Sequence, residues 1–195
     1  MENKKLKSNM LLKLIIFFSF VFIGFSFIQK TENKIYWTKS YKLTWADFMD
    51  DPPEETEFIA FPEVVIDPQF FFNNGVLEID VNCYFNRYCS WSIKEKHSNQ
   101  ALKHEQAHFD IAEVFARQFR KEIRLCNFKG KNVREKFDKK YEEVNEEYMK
   151  TRSLYDIETN YGLNKDKQAE WSEKIGRDLK ESEDYIEPHI TIKIK

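Results

Sequence analysis

Cysteine is scarce in this chain: Cys83, Cys89 and Cys126 are the three among 195 residues. No Cys-x-x-Cys pair occurs, so no thiol is assigned a chemical role. The odd count leaves at least one thiol free or paired between chains. Cys83 and Cys89 lie too far apart along an extended strand to bond without a turn. Excess positive charge is also missing. The formal net charge is -2, and residues 1–28 carry +3 of it, which leaves the remainder near -5. That excludes the basic footprint of a nucleic-acid binder, so no nucleic-acid partner is expected. There is no glycine-rich phosphate loop and no internal repeat.

A long hydrophobic run occurs once. Lys4, Lys5, Lys7 and Lys13 precede the apolar stretch Leu14 to Ile28. Such a positive flank holds the amino end inside while the run enters the membrane. The run is shorter than the ~20 residues that span a bilayer comfortably. Residues 1–29 are therefore expected to be a signal peptide or a short N-terminal membrane anchor. Either reading exports residues 30–195 across the inner membrane, to the periplasm or the cell envelope. Membrane attachment would run through this segment.

Residues 30–60 read as an irregular lead-in, anchored by Trp37, Leu43, Trp45 and Phe48, with an acidic loop from Asp47 to Glu57. Pro62 and Pro68 bracket a short strand. After the turn signal Asn73-Asn74-Gly75, the residues Leu77, Ile79, Val81, Cys83 and Phe85 alternate with polar ones, which predicts a strand with one buried face. The preceding FPEVVIDPQFFF is placed to pair with it as a hairpin. Then the period changes. Ser98 or Asn99 can cap a helix over Gln100 to Leu125, where Leu102, His108, Ile111, Phe115, Phe119 and Ile123 recur at three- and four-residue spacing. Gly130 breaks that pattern. Further helices are predicted over Val133 to Ser153 and Lys165 to Leu179, joined by a loop from Tyr155 to Asn164. The domain spans 30–185, and 186–195 is a tail that reads as an edge strand or as disorder.

His104-Glu105-Gln106-Ala107-His108 fits H-E-x-x-H. Residues four apart on a helix lie one above the other, so the two imidazoles can ligate one zinc ion. Glu105 sits where a general base can take a proton from the attacking water and pass it to a leaving amine. A third ligand is needed. His97 shares the face but lies about 10.5 Å away along the axis, too far to share an ion. Glu113 falls on the opposite face. The loop Tyr155–Asn164 offers Asp156, Glu158 and Tyr161, and the second predicted helix offers Glu142 and Glu146.

The segments KLTWADF (42–48), HEQAHFDIAEVFAR (104–117) and YDIETNYGLNKDKQAEW (155–171) resemble those of a bacterial family, domain of unknown function 922, described as zinc-dependent secreted or periplasmic proteases. The resemblance implies a zincin-like α+β fold, with a small antiparallel or mixed sheet beside a long H-E-x-x-H helix and two further helices. It implies one zinc ion held by His104 and His108, Glu105 as the catalytic base, and a peptide or protein substrate. The family pattern carries histidine before the glycine of the last block. This chain has Tyr161 before Gly162, which makes Tyr161 the expected third ligand, or a donor to a tetrahedral oxyanion. Hydrolysis of peptide bonds is the expected function. The alternative is a catalytically weak or inactive zincin-like domain that binds or scaffolds in the cell envelope.

Overall fold

The computed structural model of the protein describes residues 33–128 and 132–193. The apolar run 14–28 and the helix break at Gly130 lie outside the described residues. Among those that are described, no helix is long and apolar enough to cross a membrane.

Strand β4 (Val76–Asn86) organises the sheet. Leu77, Ile79, Val81, Cys83 and Phe85 on one face are all buried, and Tyr84 is the one residue of the other face that joins them. Strand β3 (Val64–Asn73) pairs with β4 along its whole length, in register from Val64↔Phe85 to Asn73↔Val76. The hairpin turns on Asn74-Gly75, both at positive φ (48° and 77°). That is the left-handed pair a two-residue turn needs to match strand twist. The other edge of β4 is shared. Strand β6 (His189–Lys193) covers Val76–Asp80, and β1 (Lys34–Tyr36) covers Tyr84–Asn86. Between them the Trp37 N–H donates to the Cys83 carbonyl and the Val81 N–H to the Pro188 carbonyl. A second, two-stranded sheet joins β2 (Ala60–Phe61) to β5 (Trp91–Ser92).

Pro68 does not end its strand. β3 lies at the sheet edge and Pro68 faces Val81, whose N–H bonds Pro188 on the far side. No ladder bond is therefore lost at proline, and the strand runs on to Asn73.

Helix α1 (Asn99–Leu125) packs its stripe of Ile111, Phe115, Phe119 and Ile123 into the core shared with β4. Ser98 caps it, accepting the Ala101 N–H at 3.1 Å. Three charged residues in the second half of α1, Glu113, Arg117 and Arg120, are also buried. Glu113 accepts from Arg117 at 2.8 Å and from Arg120 at 2.9 Å. Arg117 also donates to the Leu179 carbonyl, and Arg120 to the carbonyls of Val81, Tyr185 and Ile186. The cluster ties the sheet and the chain after α3 (Lys165–Glu181) to the long helix.

Helix α2 (Val133–Thr159) runs past the predicted end at Ser153. The residues read as the start of a loop continue its buried stripe: Phe137, Val144 and Tyr148 are followed by Tyr155 and Thr159, both fully buried. Packing carries the helix on to Thr159. It ends at Asn160, Tyr161 and Gly162, all at positive φ. Asn164 then caps α3, accepting the Lys167 N–H. Among the described residues the architecture is α+β, two sheets and three helices, in a zincin-like arrangement with the H-E-x-x-H helix beside the main sheet.

Candidate metal centre

Helix α1 has no internal glycine or proline, so its two histidines keep the one-turn spacing. The apolar stripe is committed to the sheet, which leaves His104 and His108 directed at α2 and α3. Their Nε2 atoms lie 3.3 Å apart. The longer α2 brings the Asp156 carboxylate to the same point. Its Oδ1 is 3.2 Å from His104 Nε2 and 2.9 Å from His108 Nε2. Bonds of about 2.0–2.1 Å at tetrahedral angles place ligand atoms roughly 3.3 Å apart, so the triangle has the dimensions of one face of a metal tetrahedron. Two imidazoles and a carboxylate are a donor set suited to a divalent cation, and the three ligand atoms lie within 4.8 Å of one another.

Burial and charge shape the three groups differently. Burial pushes the Asp156 carboxyl up, but hydrogen bonds from His104 and His108 outweigh it and hold the carboxyl well below its ordinary range. His108 is held down to about 4, chiefly by burial, so its ring is neutral and able to ligate at pH 7. Its Nδ1 is buried with no partner. Glu105 follows the first ligand and is 4% exposed. Burial pushes its carboxyl up to about 7; His104 and Arg152 oppose the shift, and Asp156 adds to it. Among the described residues no side chain hydrogen-bonds or pairs with Glu105.

A second layer of residues orients His104. Tyr155 stacks on its ring, with centroids 4.7 Å apart and planes 15° apart. The Gln168 Oε1 lies 3.3 Å from His104 Nδ1, and the Gln168 Nε2 lies 2.6 Å from the Tyr155 hydroxyl, which is 3.3 Å from the His104 carbonyl. The Tyr155 hydroxyl also lies 2.8 Å from Gln168 Oε1. With a metal on Nε2, the His104 proton sits on Nδ1 and donates to Gln168 Oε1, while Gln168 Nε2 donates to Tyr155. In the metal-free protein His104 Nε2 faces the Asp156 carboxylate instead. Gly162 completes the packing. A Cβ there would come within 2.9 Å of His104 Cβ and 3.0 Å of Cγ, so only glycine lets the turn lie against the ring.

The other sequence candidates stand elsewhere. His97 stacks on Trp45 at 4.1 Å and lies 2.9 Å from Ser92 Oγ. Glu113 is consumed by its arginines. Glu158 accepts from Trp171 at 2.8 Å. Glu142 and Glu146 are exposed on α2. Tyr161, the expected third ligand, is half exposed, with its ring edge-on to Phe58 at 5.4 Å. Asp156 takes the place beside the imidazoles, because the helical turn that replaces the predicted loop aims residue 156 inward and leaves 161 in the exit turn.

A family described as "Bacterial protein of unknown function (DUF922)" matches residues 90–162. Over that segment the chain is similar to this family. The DUF922 segment holds His104, Glu105, His108, Tyr155 and Asp156, while Gln168 lies beyond it. No curated protein and no solved structure matches the chain. Sequence reasoning missed Tyr155 and Gln168. The signal for Tyr155 was its place seven residues after Tyr148 in the same stripe. The signal for Gln168 was a polar residue on the face of α3 that carries Trp171 and Ile175.

Proposed function

We propose that the protein is an exported zinc-dependent metallopeptidase, with one ion held by His104 Nε2, His108 Nε2 and Asp156 Oδ1. The observation that carries this reading is the unpartnered, buried Glu105 beside a three-atom ligand face. A purely structural metal site has no use for such a carboxylate, whose burial is costly.

When bound there, zinc polarises a carbonyl oxygen and acidifies water. Glu105 takes the proton of the water that attacks the scissile carbonyl. It returns that proton to the amine as the carbon–nitrogen bond breaks, leaving a carboxylic acid and an amine. Its raised proton affinity suits both transfers near neutral pH. Gln168 and Tyr155 hold His104 in the tautomer that binds through Nε2. Export is supported by the lysine-flanked apolar run 14–28.

Three measurements test the reading. Metal analysis of the full-length chain should find about one zinc per molecule. A peptide library should be cleaved, and chelation should stop the cleavage. Glu105→Gln should keep the zinc and lose turnover. Retained zinc with no cleavage by the unsubstituted chain favours a non-catalytic envelope domain, and absence of zinc ends both readings. Fractionation of cells should find the chain outside the cytoplasm.

A further inference from the structure

The metal triad meets solvent on one side. The side chains of His104 and His108 are 6% and 5% exposed, and that of Asp156 is 23% exposed. What surrounds Asp156 therefore forms the mouth. Arg152 stands one helical turn before it on α2, and Tyr161 follows in the exit turn. Both touch the same strap of chain. The Arg152 guanidinium lies over the Phe61 ring, 5.3 Å from its centroid, and Tyr161 meets Phe58 at 5.4 Å. The strap thus runs beside the end of α2, with Asp156 between its two contacts.

Two features of this mouth point to a ligand. Phe58, Phe61 and Tyr161 leave 51%, 36% and 49% of their surface exposed, beside a site that is otherwise closed. No carboxylate among the described residues pairs with Arg152, although its neighbours on α2 pair freely, as Lys150 does with Glu146. Its positive charge acts on both Glu105 and His108. A guanidinium held beside an aromatic ring loses little freedom when it receives a carboxylate through two parallel hydrogen bonds.

Resting on the peptidase reading, we propose that Arg152 is the anion-recognition residue of this site. It takes a carboxylate of the substrate peptide, while Phe58, Phe61 and Tyr161 cover an apolar side chain next to it. The carboxylate is either the peptide's C-terminus or the side chain of an aspartate or glutamate.

The test uses full-length, zinc-loaded Glu105→Gln protein, which holds peptide without turnover. Three N-acetylated hexapeptides of alanine with one phenylalanine are titrated calorimetrically. One ends in a free carboxylate beside the phenylalanine, one is amidated, and one is amidated with a glutamate beside the phenylalanine. At least one carboxylate peptide should bind ~10- to 100-fold more tightly than the neutral one, the range for a hydrogen-bonded charge pair. The tighter of the two identifies the source. Adding Arg152→Gln should erase the preference while zinc content stays unchanged, and Arg152→Lys should restore only part of it. In the chain with Glu105 intact, Arg152→Gln should raise KM for the preferred peptide and leave kcat alone. Equal binding of all three peptides, binding of none, or a preference that survives Arg152→Gln overturns the proposal. So does an equal fall in kcat for all three, which would place Arg152 on the transition state. The peptidase reading fails separately, if the unsubstituted zinc-loaded chain cleaves nothing.

Discussion

Replacing Glu105 by glutamine should make the metal-free protein more stable, by an amount that grows with pH. The carboxyl is held at about 7 in the fold, against 4.5 as its ordinary value. A folded value above the unfolded one means that the native state binds more protons, so stability falls as pH rises through that window. Ionising the carboxyl in its buried place costs about 3 kcal/mol in full, and about 2.5 kcal/mol of this develops between pH 5 and pH 8. Glutamine has no such titration. Burying its amide carries a cost of its own, but one that does not vary with pH. The decisive quantity is thus the difference between the two stability profiles. Urea denaturation of both proteins in chelator, at half-unit steps from pH 5 to 8, should show the variant gaining on the parent by about 2.5 kcal/mol. With zinc restored, the same variant should hold the ion and lose peptide cleavage by ~100-fold or more. Parallel profiles would refute the reasoning, since they would mean that Glu105 is solvated or paired and is not a poised base.

Three further outcomes follow from the geometry. Asp156→Asn should weaken zinc binding at least ~100-fold in chelator competition, whereas Tyr161→Phe should leave it unchanged; the reverse order would return Tyr161 to the ligand set. Gln168→Leu should weaken zinc binding ~10- to 100-fold, and imidazole nitrogen shifts should show His104 losing its fixed Nδ1–H tautomer. Gly162→Ala should destabilise the metal-free protein by ~1–3 kcal/mol in urea, because its φ of +81° and the His104 ring both oppose a Cβ, and zinc uptake should fall with it.

The parts legible in the sequence are those governed by local period. Alternation along Leu77 to Phe85 determined which face of β4 is buried, and the three- and four-residue spacing of Leu102 to Ile123 marked α1 and the side its histidines occupy. What escaped depends on contacts distant in sequence. Nothing in Tyr155 to Thr159 favours helix strongly enough to outweigh the turn residues Asn160 and Gly162 nearby. Burial of Tyr155 against His104, 51 residues away, does. The same contact decides which carboxylate meets the two imidazoles. In a loop, Asp156, Glu158 and Tyr161 are equivalent candidates. In a helix they point in different directions, and Asp156 alone faces α1. Gln168 was invisible for a related reason: one buried glutamine has no pattern until its partner, 64 residues earlier, is known.

The exit from α2 explains how one short stretch serves three helices. Asn160, Tyr161 and Gly162 take φ values of 47°, 52° and 81° in succession. A non-glycine residue in that region costs ~1–2 kcal/mol, so two such residues in a row need a return. The return is closeness. A right-handed exit would carry the chain away from α1, whereas this turn drops the bare Gly162 onto the His104 ring and lets its carbonyl accept from Gln100 at 3.1 Å. It also reverses the chain within four residues, so that α3 starts at Lys165 and Gln168 arrives at His104 Nδ1 from the side opposite the metal face. Asp156, one turn before the exit, and Gln168, one turn after the re-entry, are therefore set by the same backbone feature. A substitution that relaxes the turn should move both groups together, with ligand geometry and tautomer control lost in a single step.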